Sequence, residues 1–563
     1  MLRFLLVSLN IDAILRESTI YQRRERLKNI AERLGLEGTY GATIERMMAQ
    51  GGSKSRLGVA ALMWISHAEK PLGADDLCHA LAVELGSTEI NPGNVPSIST
   101  LMSCCQGLIT MDGEAPTVRL IHSTLKEYFS ARPDIFSRPH STMAEVCLTY
   151  LNSKQVKAPS AYTSLGIPKI PFLEYSSVYW GVHAKRDLSD HASSLALELF
   201  RDYDGHISTK PLLEKAGYHD FSSASLSFSG LHCVSFFGIA ELVDVLIRME
   251  CYGIDPRDSW GHTPLSWAAR NGHWVVVKML VGHEVINPEN SDKYGRTPLW
   301  HAADRGHENV VIILLGQEMI SPDKPDNNGQ TPLASAARNG REGVVQILLG
   351  CGKVNPNKID KYGRTPLSHA ASNAQVKVVK TLLQRGGASP DKADKGNRTP
   401  LSYAAQYGHD GVVKVLLWWQ EVNPAEPDIC GRTPLWYAAS SGREKVVKLL
   451  LGWEGVDPNK PDNAGQTPLT LAAWNGHELV VGILLGQAEI DPDMPDKYGR
   501  TPLSYATRHG HDGAVKMLLR REEVNPNKPD NHGQTPLASA ARWGHQTVGA
   551  LLKARQAATY SAI

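Results

Sequence analysis

The chain has 563 residues, with 59 Lys or Arg against 58 Asp or Glu and a formal charge of +1. At 42% hydrophobic and 21% charged residues, it lacks the weakly apolar, strongly charged composition that keeps a chain unfolded, and its balanced charge gives no global field for nucleic acid or membrane surfaces. The eight cysteines include no CxxC pair, which argues against a zinc site or a disulfide framework and fits a reducing compartment.

At the start, the apolar run Phe4 to Val7 is too short for a signal-peptide core. No stretch approaches the roughly 18 apolar residues needed to span a bilayer. A soluble cytoplasmic protein is expected, with the nucleus as the alternative. Residues 12–50 read as helices, with the basic run Gln22 to Arg26 as a solvated face. Gly51-Gly52-Ser53-Lys54-Ser55 reads as a flexible break; it lacks the spacing of a phosphate loop. From residue 53 to 135 the pattern is helix, helix, helix, hairpin, helix. Leu57, Ala60, Ala61 and Trp64 share one face of the first helix, Asp75 to Glu84 form the second and Ser97 to Gly107 the third. Leu108 to Met111 and Thr117 to Ile121 pair as strands across Asp112-Gly113-Glu114. Thr124-x-x-Glu127 reads as a capping box opening the last helix, Leu125 to Ala131.

This order resembles a winged helix. The runs WISHAEKPLGADDLCHALAVE and VRLIHSTLKEYF resemble the winged-helix segment, of the type found in a GPI inositol-deacylase, that follows the nucleotide-binding module of fungal receptor-like NTPases of the NACHT class. LRFLLVSLNIDAIL and LEGTYGATIERMM resemble the end of that module, so residues 1–52 are expected to be its helical remnant. The resemblance implies that His122 could sense a nucleoside diphosphate. Only residues 1–52 precede the winged helix, however, and no Walker lysine is present, so no NTPase core and no cofactor are expected and His122 is expected to be structural. A DNA-binding regulator is the alternative function, disfavoured by charge. Between Lys70 and Arg119 there is no cation, while Asp75, Asp76, Glu84, Glu89, Asp112 and Glu114 are all acidic. No G-x-S-x-G or H-E-x-x-H motif occurs, so no enzyme is expected.

Residues 136–228, including Tyr179-Trp180-Gly181, read as a helical spacer in which Leu151 to Pro171 is loop-rich. From 229 to 558 the chain repeats. Thr-Pro-Leu recurs from Thr263 to Thr535 at a constant step of 34 residues, and a degenerate unit precedes it in which Ser229-Gly230 replaces Thr-Pro. In one unit, Thr263 caps a helix, Pro264 takes its first position, and Leu265, Ala268 and Ala269 form its apolar face. Gly272 ends that helix, and a second begins near His273 and buries Val276, Val277 and Leu280. Asn287-Pro288 and Asp292-Lys-Tyr-Gly295 are turn signals for a hairpin-like loop. Such a unit cannot bury its face alone, so a mainly helical solenoid is expected.

The pattern D-x-x-G-[RQH]-T-P-L-x-x-A-A-x-x-G-H resembles the ankyrin repeat. The step of 34 departs from the 33 typical of that family, implying one extra loop residue. One unit is weaker, with Asn373-Ala374-Gln375 in place of Gly-His and Asn397 in place of the hairpin Gly, which marks a kink or softer spot. The recurrent His residues lie too far apart for shared coordination, so no metal site is expected. The resemblance implies protein binding through hairpin tips and the ends of the first helices. On this chain these positions include Trp260, Arg270, Tyr294, Arg305, Arg338, Tyr362, Tyr407, Trp474, Tyr498, Arg508, Arg542 and Trp543, of residue types enriched in binding hot spots. The expected partner is another protein, including a separate NTPase subunit or neighbouring domain, and neither nucleic acid nor membrane.

Overall fold

A computed structural model describes residues 14–15, 18–25, 36–112, 116–157, 170–219, 226–249 and 253–561. The chain forms two compact units, Met1–Ala268 and Ala269–Ile563. In the first, helices α1 (Leu36–Ala49), α2 (Gly52–His67), α3 (Ala74–Ala82), α4 (Ile98–Cys104) and α5 (Ser123–Ala131) surround a small antiparallel sheet. Its strands β1 (Leu72–Gly73), β2 (Ile109–Met111) and β3 (Thr117–Leu120) lie in the order β1-β3-β2, with Leu72 opposite Val118 and Ile109 opposite Leu120. A two-residue strand has no periodicity to read, so β1 was not expected. The turn residues 113–115, the residues 1–13 and Arg26 lie outside the described residues.

Two local expectations are corrected. The Gly51–Ser55 break is confined to its first two residues: Gly51 (φ +66°) and Gly52 (φ +58°) turn the chain, and α2 already begins at Gly52. The last helix starts earlier than the capping box implied. His122 is its N-cap, with its side chain accepting from the Thr124 amide, while the Thr124 hydroxyl bonds Tyr40 at 2.8 Å. An imidazole nitrogen serves as the cap acceptor, a role not readable from a Thr/Glu spacing.

The spacer folds into helices Pro139–Asn152, Lys154–Lys157, Leu173–Arg186, Asp190–Phe200 and Thr209–Lys215. Part of the loop expected from Leu151 is therefore helical, and residues 158–169 lie outside the described residues. The Tyr179-Trp180-Gly181 run has a packing role. Trp180 is fully buried against Phe200 and Phe237, and a Cβ on Gly181 would lie 2.2 Å from the Phe237 ring. The degenerate repeat still forms a helix pair, Gly230–Phe237 and Ala240–Arg248, capped by Ser229. Gly230 stands where the other repeats have Pro because Phe200 occupies the space: a Cβ there would lie 2.5 Å from its ring.

The second unit is a stack of antiparallel helix pairs. Its complete inner helices run from Pro298–Arg305 to Pro536–Trp543, and its outer helices from Trp274–Val281 to Gln546–Ser561. Thr297 shows why they form: its hydroxyl accepts from the Trp300 amide at 3.1 Å while Pro298 occupies the first turn. Leu299, Ala302, Ala303, Val310, Val311 and Leu314 are all fully buried. Each such Leu or Val side chain contributes about 1.5–3 kcal/mol on burial, and the alanines let adjacent inner helices pack on one another, as the outer helices also do. In the weak unit the helix pair persists, but Ala374 is forced to φ +59° and Asn397 to +57°, where other repeats place Gly.

Candidate protein-interaction site

Each hairpin of the second unit is built on a buried or half-buried aspartate. In the first, the Asp292 amide donates to Arg296 O at 3.0 Å and the Gly295 amide to Asp292 O at 2.9 Å. One Asp292 oxygen accepts from the amides of Tyr294 and Arg296 at 2.9 and 2.8 Å, and the other meets His301 Nε2 at 3.1 Å. The same inward anchor recurs nine residues on as Asp360–His369 at 3.0 Å, Asp394–Tyr403 at 2.5 Å, Asp428–Tyr437 at 2.6 Å and Asp496–Tyr505 at 2.7 Å. Burial alone would raise the Asp360 carboxyl. Bonds from His369 and the Arg364 amide, with the Arg364 charge, outweigh burial and hold it at about 2. Burial and the bond to Asp394 push the Tyr403 phenol up to about 12.

Neighbouring hairpins are tied edge to edge. Asn327 N donates to Tyr294 O at 2.8 Å, Lys395 N to Tyr362 O at 3.0 Å and Asn531 N to Tyr498 O at 2.9 Å. Gly295 permits this approach: it sits at φ +79°, and a Cβ there would lie 2.8 Å from Asn327 N. The tip side chains project from this fixed backbone. Tyr294, Tyr362 and Tyr498 are 51, 60 and 54% exposed. An arginine sits over each ring: Arg296 at 5.0 Å, Arg364 at 5.0 Å and Arg500 at 5.2 Å from the centroids.

The inner-helix ends form a second row. Arg305, Arg338, Arg508 and Arg542 are exposed in the last turns of their helices, where a cation also complements the helix dipole. Tyr407 and Trp543 are about half exposed, with Arg508 at 5.6 Å from the Trp543 ring. Trp474 is half-buried, stacked on Tyr505 at 4.7 Å and near His509 at 5.7 Å. Arg270 is partly exposed at the start of the unit. Trp260 lies in the first unit, its ring 4.7 Å from Tyr218.

The recurrent histidines join repeats. Nε2 of His307, His409, His477, His511 and His545 meets the carbonyl oxygens of Arg270, Ser372, Ser440, Trp474 and Arg508 at 2.8 to 3.1 Å. These carbonyls end the preceding inner helices and would otherwise lack helical partners. Where the sequence has Arg341, Arg443 or Gln375 instead, their side-chain N–H groups reach the matching carbonyls of Asp304, Gln406 and Arg338. Gly272 is small because His307 packs over it, with a Cβ position 2.5 Å from Nδ1.

Sequence reasoning missed an apolar groove of about 670 Å³ between outer helices Trp274–Val281 and Glu308–Leu315, bordered by Trp274 and Ile312. Outward residues on a helix of alternating apolar runs merge with its core stripe when read by periodicity. In the first unit, α4 carries no charged residue, so it offers a DNA phosphate no cation.

Residues 231–326, 291–358, 316–394, 352–428, 401–496 and 481–560 match the family described as ankyrin repeats (3 copies). Residues 44–137 match the family described as GPI inositol-deacylase, winged helix domain. No curated protein matches the chain.

Proposed function

Because the chain belongs to the ankyrin-repeat family, with repeats over more than half its length, we propose that it is a non-enzymatic protein-recognition scaffold that docks its partner on the hairpin tips and inner-helix ends. One observation carries this reading. Tyr294, Tyr362 and Tyr498 stay exposed on a backbone locked from beneath by buried aspartates and from the side by neighbouring hairpins. Large, preorganised aromatic side chains lose little freedom on binding, which favours them as hot spots. An NTPase subunit or neighbouring domain is proposed as one partner, on the resemblance of the winged-helix runs to the segment that follows the nucleotide-binding module of receptor-like NTPases.

The test is a quantitative pull-down from the native cell with Tyr294→Ala/Tyr362→Ala, both exposed, and with Trp474→Ala/Trp543→Ala. Partner recovery is expected to fall with unchanged circular dichroism. Undiminished recovery with folded variants removes this face. The tip pair is the cleaner variant, since Trp474 also packs on Tyr505.

A further inference from the structure

The hairpin row separates its charges. The aspartates that begin the tyrosine-tipped hairpins, Asp292, Asp360 and Asp496, point inward and are consumed by amides and by His or Tyr side chains. The lysines beside the tips point out: Lys293, Lys361, Lys395 and Lys497 are exposed, and among the described residues their ammonium groups make no ion pair. No helix end accounts for them, unlike the arginines of the second row. The exposed acids Glu284, Glu318, Glu421, Glu454, Glu489 and Glu522 sit in a different turn, the one after each outer helix. The cationic character is thus local to the tips. Residues 269–563 as a whole hold 34 Lys or Arg against 29 Asp or Glu, a net charge of only +5, which is modest for a nucleic-acid surface.

We propose that the tip row binds an acidic peptide segment in extended form, with an Asp or Glu at about every third residue facing successive rungs of the stack. The spacing follows from two lengths. Packed helices repeat at about 8–10 Å, and an extended peptide advances about 3.3 Å per residue, so one rung spans about three residues. Lys361 and Lys395 occupy adjacent rungs, and Lys293 lies two rungs before Lys361. Beside them Tyr294 and Tyr362, with Arg296 and Arg364 over their rings, supply aromatic surface. This inference rests on the docking face proposed above and adds the chemistry of its ligand.

The experiment is selection of 16-residue peptides from a random display library on the full chain, followed by fluorescence anisotropy of the selected peptides. They are expected to be enriched in Asp and Glu at threefold spacing and to weaken as salt rises. Binding should fall at least tenfold with Lys293→Glu/Lys361→Glu/Lys395→Glu and stay unchanged with the outer-helix control Lys414→Glu/Lys448→Glu. Selected peptides that are neutral or basic, no selectable peptide, or tighter binding of a 20-residue oligodeoxythymidine would each overturn the proposal. Loss of binding with Tyr294→Ala/Tyr362→Ala but not with the lysine variant would keep the face and reject the acidic ligand. Indifference to both sets would reject the face as well.

Discussion

Ala374 holds a backbone conformation that a side chain resists. At φ +59° it replaces the glycine that closes the inner helix in other repeats, where Gly306 and Gly408 sit at +86 and +80°. The left-handed region costs a non-glycine residue about 1–2 kcal/mol, partly offset by the lower entropy of its unfolded state. Ala374→Gly should therefore raise the local opening free energy by about 0.5–1 kcal/mol, seen as slower hydrogen exchange in helix Val376–Arg385; faster exchange would refute the strain. Asp360 is the second decisive residue. Its carboxyl, held near 2 by His369 and Arg364 against its own burial, adds stability that is complete above the unfolded value near 4 and lost as pH falls through about 2. Asp360→Asn should cost about 2 kcal/mol at pH 7, and the deficit relative to wild type should shrink between pH 4 and 2 in denaturant titrations. The Gly-to-Ala change stood out in the sequence against its sister repeats. The Asp-to-His/Tyr spacing of nine did not, since Asp292 reads there only as a turn signal. Only the structure shows that this spacing brings the second carboxylate oxygen onto the side chain.

The helix pair was legible because Thr-Pro-Leu, paired alanines, a closing glycine and a Val-Val-x-x-Leu stripe each have one local physical reading, and all agree. Contacts between repeats were less legible, because sequence periodicity reports which positions are equivalent and not what they touch. The histidine ladder is the example. Its role becomes clear only when His511 is seen 2.8 Å from Trp474 O, with Arg341 and Arg443 doing the same in other repeats. His511→Ala should then destabilise the stack by about 1 kcal/mol, while His511→Arg stays near wild type. Equal loss in both, by thermal unfolding, would show that the ring's packing and not its hydrogen bond matters. The winged helix was legible in its helices and its two longer strands, but β1 was not, since it pairs with a strand distant in sequence, and the His122 cap was not, since an imidazole is not among the usual cap acceptors.

At the scale of the whole molecule, the two units should respond differently to acid. His183, His206 and His232 in the first unit are buried, and desolvation lowers them to about 3, 4 and 4. Their unfolded counterparts take up protons below about 6.5, so this contribution is complete at neutral pH and falls between pH 6.5 and about 4, by several kcal/mol in sum. In the second unit, the lowered carboxyl of Asp360 acts only below about 4. Pulse proteolysis at pH 5 should cut the first unit before the second, and the reverse order would contradict this assignment. The choice of docking face belongs to this scale too, because outer helices also expose apolar side chains such as Val275 and Leu479, 41 and 61% accessible. The most direct measurement is site-specific photo-crosslinking in the native cell from p-benzoylphenylalanine placed at Tyr294, Tyr362 or Tyr498, compared with Val275 or Leu479. The docking account predicts protein adducts from the tip positions and few from the outer ones. Adducts confined to Val275 and Leu479 would contradict it.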